Sequence, residues 1–140
     1  MPVLKVPATI ENLVVVNKFI AEHLPYDCMA LQKKVQLVAE ELLVNVFMYA
    51  YLGALGEAEI GCKNIFFDNQ EYFCLWVKDT GKAFNPFLEA MTPNTNLDVE
   101  HRPVGGLGIH LIKSVVSHYA YSYTDGINHI ELYFKKENAC

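Results

Sequence analysis

One apolar stretch limits the possible folds of this chain more than any other feature. The stretch from Gln36 to Tyr51, QLVAEELLVNVFMYAY, has no glycine or proline and is apolar almost all the way round. This pattern predicts a buried helix and not a surface helix with one polar face. Two polar residues inside it, Glu41 and Asn45, are four apart and therefore lie one turn above each other on the same face.

A carboxylate and an amide on a buried helix face are costly unless something pairs with them. One interpretation is structural: Asn45 bonds a neighbouring loop and Glu41 pairs with a lysine. The other is a magnesium–phosphate site, with the amide oxygen on the metal and the carboxylate on a water or hydroxyl, because Mg²⁺ takes oxygen ligands and needs few protein groups. This stretch alone leaves both open.

Composition limits the class of protein. The chain of 140 residues has about the length of one domain, so we predict a single domain over residues 1–140. Its 52% apolar content is enough for a sizeable core. The net charge is −5 and the 11 basic residues form no run, which argues against direct nucleic-acid binding. No signal peptide or membrane-length apolar run is present, so we expect a cytoplasmic protein with no membrane partner. The four widely spaced cysteines predict reduced thiols: Cys28, Cys62, Cys74 and Cys140.

The order of predicted elements is β-α-α-β-β-loop-α-β-β. The predicted strands cover Val3–Val6, Ala58–Phe67, Tyr72–Lys78, Tyr119–Tyr123 and Ile127–Phe134. The helices cover residues 11–24, the stretch that ends near Tyr51, and Ile109 to about His118. Because the βαβ rhythm of a parallel sheet is missing, we predict an α/β (α+β) two-layer sandwich. Its sheet is mixed but mostly antiparallel, with helices on one face.

Two further motifs suggest chemistry. Asp79-Thr80-Gly81 ends a strand. The carboxylate there could accept a hydrogen bond from an exocyclic amine such as that of adenine, and Gly81 would let a ligand approach the backbone closely. A plain turn is the alternative. Gly105-Gly106-Leu107-Gly108 opens a helix whose free N–H groups could bind an anion, or it is a loop hinge. Neither a P-loop nor a Rossmann fingerprint is present. His110 and Lys113 are expected to be structural or solvated.

The three motifs, in this order, resemble the GHKL ATPase superfamily of gyrase, heat-shock chaperones, histidine kinases and mismatch-repair ATPases. Glu41–Asn45 resembles its N box, Asp79–Phe84 its DxGxGF box, and Gly105–Lys113 its glycine-rich box. The small size and the run Arg102–Gly108 are similar to the bacterial anti-sigma factor serine/threonine kinases. The resemblance covers nearly the whole chain and implies the histidine kinase-like ATPase fold.

The resemblance also implies roles for ATP and Mg²⁺ and for individual residues. Asn45 would bind the metal, and Glu41 would be the general base. Asp79 would accept a hydrogen bond from the adenine amine, and Gly81 would leave space for the base. The rest of the implied nucleotide site is Phe84, Gly105, Gly106, Leu107 and Gly108, and the loop from Phe84 to Arg102 would be a lid.

The implied activity is phosphorylation of a serine or threonine on a small anti-sigma factor antagonist, by a kinase that also sequesters a sigma factor and forms a homodimer. A non-catalytic, nucleotide-dependent binding module is the alternative, and Glu41 favours the enzyme. A detached histidine-kinase domain fits less well, because no dimerisation helix with a phospho-acceptor histidine is present. The sequence departs from the family at Ala83, where glycine is usual, at Asn85, where aspartate often follows, and at Glu131, where the superfamily often has a threonine near adenine.

Overall fold

A computed structural model of the chain describes residues 2–24, 29–49, 56–89 and 106–136. The strands are β1 (Val3–Pro7), β2 (Glu57–Phe67), β3 (Gln70–Asp79), β4 (His118–Thr124) and β5 (Ile127–Lys135). The α-helices are α1 (Leu13–His23), α2 (Met29–Tyr49), α3 (Pro86–Glu89) and α4 (Gly106–Val115), and a 3-10 turn over Ile10–Asn12 precedes α1. The predicted strands and helices are present in the predicted order.

The five strands form one sheet in the order β1-β2-β3-β5-β4, and every neighbouring pair is antiparallel. We predicted a mixed sheet, so the described strands are more uniform than expected. Two hairpins set the register. Asp68-Asn69 (φ 52° and 62°) joins β2 to β3, and Asp125-Gly126 (φ 54° and 77°) joins β4 to β5. Positive φ at both central residues is the geometry that two-residue hairpins need, and Asn, Asp and Gly adopt it most readily.

The hydrophobic core lies between the helices and one face of the sheet, called here the inner face. The strands contribute every second residue to this core: Val6, Ala58, Ile60, Cys62, Phe73, Leu75, Val77, Ile130, Leu132 and Phe134. The helices contribute residues at helical spacing, among them Val16, Ile20, Val38, Leu42, Ile109 and Ile112. These two periods confirm the predicted two-layer α/β sandwich with helices on one face.

The opposite, outer face of the sheet carries a small buried cluster of its own. The Trp76 side chain lies over Gly61, its partner on β2, and is only 6% exposed. Lys78 Nζ sits 5.0 Å from the centre of the indole ring, a cation–π contact. Cys74 is buried on the same face, and burial raises the pKa of its thiol to about 11. Cys62 and Cys74 are free thiols, as predicted, while Cys28 and Cys140 lie outside the described residues.

The boundaries of α4 differ from the prediction at its C-terminal end. We expected the helix to reach about His118, but it ends at Val115. The Ser117 N–H donates a hydrogen bond to the Tyr133 carbonyl at 2.8 Å, so the backbone has already joined the sheet at that point. Pairing with β5 therefore ends the helix earlier than its apolar period indicates. Within the described ranges, no helix combines the length and apolarity needed to cross a membrane.

Candidate nucleotide site

Helix α2 places Glu41 and Asn45 differently with respect to solvent. Asn45 is 1% exposed, whereas Glu41 is only half-buried and Glu40, next to it, is exposed. The Asn45 amide donates to the Glu41 carbonyl, one turn back, at 2.9 Å. Its other polar atom, Oδ1, is buried and has no hydrogen-bond partner among the described residues. The structural interpretation, in which Asn45 bonds a neighbouring loop, therefore leaves this acceptor unexplained.

Helix α4 brings the glycine-rich motif against the same face of α2. A Cβ atom at Gly108 would lie 2.4 Å from Glu41 Oε2, so the glycine lets this carboxylate lie directly against α4. Gly106 is the first residue of α4 and Gly108 lies in its first turn, while Gly105 falls outside the described residues. Two motifs more than sixty residues apart in sequence thus contact each other at the Glu41 carboxylate.

Asp79 ends β3 on the inner face, one row beyond the last apolar row of the core. Val77 pairs with Ile130 in that apolar row, and Asp79 pairs with Asn128 in the next. Asp79 is 4% exposed. Its Oδ1 accepts hydrogen bonds from the Gly81 N–H at 2.9 Å and from Asn128 Nδ2 at 2.9 Å. Burial raises the pKa of the Asp79 carboxyl, and these two hydrogen bonds partly offset that rise.

Asn128 is a site residue that we did not predict. It is 1% exposed and contacts Asp79, the carbonyl of Lys82 and the N–H of Phe84. A signal for it was available in the sequence. In β5 the inward positions read Asn128, Ile130, Leu132 and Phe134, so one polar residue continues an otherwise apolar period. A buried polar residue in such a position requires partners.

Glu131 does not take the position near Asp79 that the resemblance suggested. It lies on the outer face, across from Trp76. Its carboxylate accepts a hydrogen bond from the Tyr133 hydroxyl and lies 3.2 Å from His129 Nε2. Side chains alternate between the two faces of a strand, and positions 128 and 131 are three residues apart. Their side chains therefore lie on opposite faces of the sheet.

The start of the predicted lid, residues 84–89, is attached to the rest of the structure. Phe84 N–H donates to Asn128 Oδ1 at 3.1 Å, and Asn85 Oδ1 accepts from Phe87 N–H at 3.0 Å, which begins α3. Phe87 is buried and stacks on Tyr119 with the ring centres 4.2 Å apart. Lys113 of α4, which we expected to be solvated, donates to the Phe87 carbonyl at 2.7 Å. His110 is exposed, as expected, and residues 90–102 lie outside the described residues.

This segment therefore connects the two halves of the candidate site. At one end it is bonded to Asn128, beside Asp79, and at the other to α4, which carries Gly108 beside Glu41. A cleft of about 180 Å³ also opens at this end of the sheet, near Asp79. Its lining comes from the sheet and the turn after β3: Lys5, Glu57, Ala58, Glu59, Lys78, Asp79, Thr80 and Ile127. Since none of these belongs to α2 or α4, this cleft does not reach Asn45.

Comparison with known proteins identifies the family of the domain. The sequence model of the family described as histidine kinase-like ATPase domain matches residues 6–134 of this chain. The chain belongs to this family. Membership of the histidine kinase-like ATPases implies ATP binding. It agrees with the predicted fold class. No functionally curated protein matches the sequence.

Among solved structures, the ATPase domain is similar to the Acinetobacter baumannii histidine kinase AdeS. The TM-score is 0.47 at 15% sequence identity, and the alignment covers 76% of this chain and 48% of that one. The chain thus spans about half of that kinase. Within the described residues, no group of three or more His, Cys, Asp or Glu side chains could hold a metal ion. A cation at this site would need oxygen ligands from a nucleotide as well as from the protein.

Proposed function

We propose that this ATPase domain is an ATP-dependent protein serine/threonine kinase of the anti-sigma factor type. One observation supports the proposal above all. Asn45 Oδ1, a buried amide oxygen with no partner among the described residues, lies one helical turn from a carboxylate that contacts the glycine-rich helix. Leaving a polar atom buried and unpaired costs about 1–3 kcal/mol. A site that binds a ligand through that atom recovers this cost when the ligand arrives.

The residues fit Mg²⁺ bound together with ATP. Asn45 Oδ1 is a hard oxygen donor whose amide nitrogen is already held by the Glu41 carbonyl, so the oxygen is fixed in direction. Bound Mg²⁺ would neutralise charge on the phosphates during transfer. Gly106 and Gly108, in the first turn of α4, allow phosphate oxygens to approach the free N–H groups at the helix start.

Glu41 fits the role of general base. It is half-buried, so an incoming serine or threonine hydroxyl can reach it, and it lies on the same helix face as Asn45. In the reaction it would take the proton of the attacking hydroxyl as the oxygen bonds to the γ-phosphorus and the bond to ADP breaks. Asp79 would accept a hydrogen bond from the adenine amine at the other end of the nucleotide.

The substrate and the partners are part of the proposal. The resemblance of the run Arg102–Gly108 supports a kinase that phosphorylates a small antagonist protein, sequesters a sigma factor and acts as a homodimer. The other candidate, a non-catalytic module that binds a partner when nucleotide is present, needs no base. The half-buried Glu41, one turn from an Asn45 oxygen that has no partner in the described part of the chain, favours the kinase.

Replacement of Glu41 by glutamine separates these two functions. Glu41→Gln keeps the size of the side chain but removes the base, so Mg-ATP binding should survive while phosphotransfer falls by about 10²–10⁴-fold. Asn45→Ala should instead weaken ATP binding, and only when Mg²⁺ is present. The assay is transfer of labelled γ-phosphate to the antagonist that co-purifies with the protein, with calorimetric binding of each variant in parallel.

Glu40→Gln is the matched control, because Glu40 makes the same change in charge at the neighbouring, exposed position. It should behave like wild type in both assays. If wild-type protein binds ATP and its partner but never phosphorylates it, the kinase is excluded and the binding module is correct. Equal loss of activity in both glutamine variants would exclude Glu41 as the base.

A further inference from the structure

The hydrogen bonds around Asn128 reveal how the carboxylate of Asp79 is held. A carboxylate and a backbone carbonyl can only accept hydrogen bonds, so the Asn128 nitrogen must face Asp79 Oδ1 and the Lys82 carbonyl, both at 2.9 Å. Its oxygen must then face donors, and it accepts from the Phe84 N–H and from the Tyr121 hydroxyl. The two orientations of the amide are therefore not interchangeable.

These contacts use the whole hydrogen-bonding capacity of the amide. An asparagine side chain offers two N–H donors and two acceptor positions on its oxygen. Asp79 and Lys82 take the donors, and Phe84 and Tyr121 take the acceptor positions. Nothing remains for a ligand, and the residue is 1% exposed. Asn128 therefore cannot read a nucleobase itself, and its effect on a ligand must pass through its neighbours.

The neighbour that matters is Asp79. Among the described residues, two groups donate to this carboxylate, the Gly81 N–H and Asn128 Nδ2, and both bond the same oxygen, Oδ1. No described residue donates to Oδ2. The carboxylate is thus fixed with one oxygen turned to the protein and the other free to accept a hydrogen bond from outside.

We propose that Asn128, supported by Tyr121, is a positioning residue that sets base selectivity by fixing Asp79 so that its free oxygen accepts from the 6-amino group of the purine. The proposal rests on the proposed nucleotide-binding function and adds to it a residue and a specificity. A purine with a keto oxygen at position 6 would bring an acceptor against an acceptor, so it would be rejected. Selectivity then depends on the direction of Oδ2, which Asn128 controls.

The test compares the affinities of ATP and inosine triphosphate, which carries a keto oxygen in place of the 6-amino group. Wild type should prefer ATP by roughly tenfold or more, the effect of one lost hydrogen bond to a charged group. Asn128→Ala should reduce this ratio by about threefold or more, and Tyr121→Phe should reduce it less. A merely structural defect would weaken both nucleotides equally and leave the ratio unchanged.

Controls distinguish the possible failures. Tyr123→Phe removes a hydroxyl from the same strand and face, 47% exposed, and should keep the wild-type ratio. If Asn128→Ala does not fold, Tyr121→Phe decides alone, and a wild-type ratio there overturns the proposal. If Asp79→Ala abolishes the preference for ATP but Asn128→Ala retains it, the positioning role is wrong while nucleotide binding stands. No preference in wild type also overturns it. No ATP binding in wild type overturns the proposed function itself.

Discussion

At the scale of single residues, the site consists of polar groups that replace the core at its edge. Asp79 and Asn128 occupy the inward positions that Val77 and Ile130 occupy one row earlier. Burying a carboxylate there costs stability, and burial accordingly raises the pKa of Asp79. A protein that did not need this group would be more stable with a neutral one.

Asp79→Asn should therefore be more stable than wild type at neutral pH. The folded-state pKa of Asp79 is raised, so the folded protein binds its proton more tightly than the unfolded chain. Wild-type stability should then fall as pH rises from the ordinary aspartate pKa through the folded-state value. The gain of the variant should be absent below this window and complete above it. Urea unfolding of both proteins across pH measures it, and a difference that does not change with pH would contradict the stated cause.

At the scale of elements, two glycines permit two close contacts, one between strands and one between helices. A Cβ atom at Gly61 would lie 2.0 Å from the Trp76 indole, which is rigid and buried. A Cβ atom at Gly108 would meet the end of the Glu41 side chain, which is flexible and half-buried. The same added methyl group therefore meets a rigid side chain at Gly61 and a flexible one at Gly108.

Gly61→Ala should destabilise the protein by about 1–3 kcal/mol, the usual cost of overpacking, since the indole must leave its place on the sheet. Gly108→Ala is the matched comparison and should change stability by less than about 1 kcal/mol, because Glu41 can rotate away and alanine favours a helix. Urea denaturation, followed by the fluorescence of the single tryptophan, measures both. Equal costs would show that the indole is not confined by Gly61.

At the scale of the whole molecule, the candidate site lies where the helical layer meets the end of the sheet. Asn45 and Gly108 belong to the helices, and Asp79 and Asn128 to the strands. The segment 84–89 is hydrogen-bonded to both layers. A nucleotide that contacts both layers would hold them together. Ligand binding to the folded state alone stabilises it by mass action.

Mg-ATP at about 100 times its dissociation constant should stabilise the protein by about 2.7 kcal/mol. For a chain of this size that is a rise in Tm of roughly 10 °C. Without Mg²⁺ the rise should be smaller, because the proposed contact of Asn45 Oδ1 with the metal is then lost. Thermal unfolding with ATP, with and without a chelator, measures this. The same rise in both conditions would contradict a metal at Asn45.

The sequence by itself determined the elements, the fold class and the three motifs of the site. Helical and alternating apolar periods depend only on neighbours along the chain, so α1, α2 and both hairpins could be predicted from residues such as Val16, Ile60 and Leu132. The tertiary structure alone decided which polar residues meet. Glu131 and Asn128 are three apart in one strand, yet only Asn128 faces Asp79, because strand register fixes the inner face. Likewise, only the packing of α2 on α4 shows that Glu41 contacts Gly108, and only burial in three dimensions shows that Asn45 Oδ1 lacks a partner among the described residues.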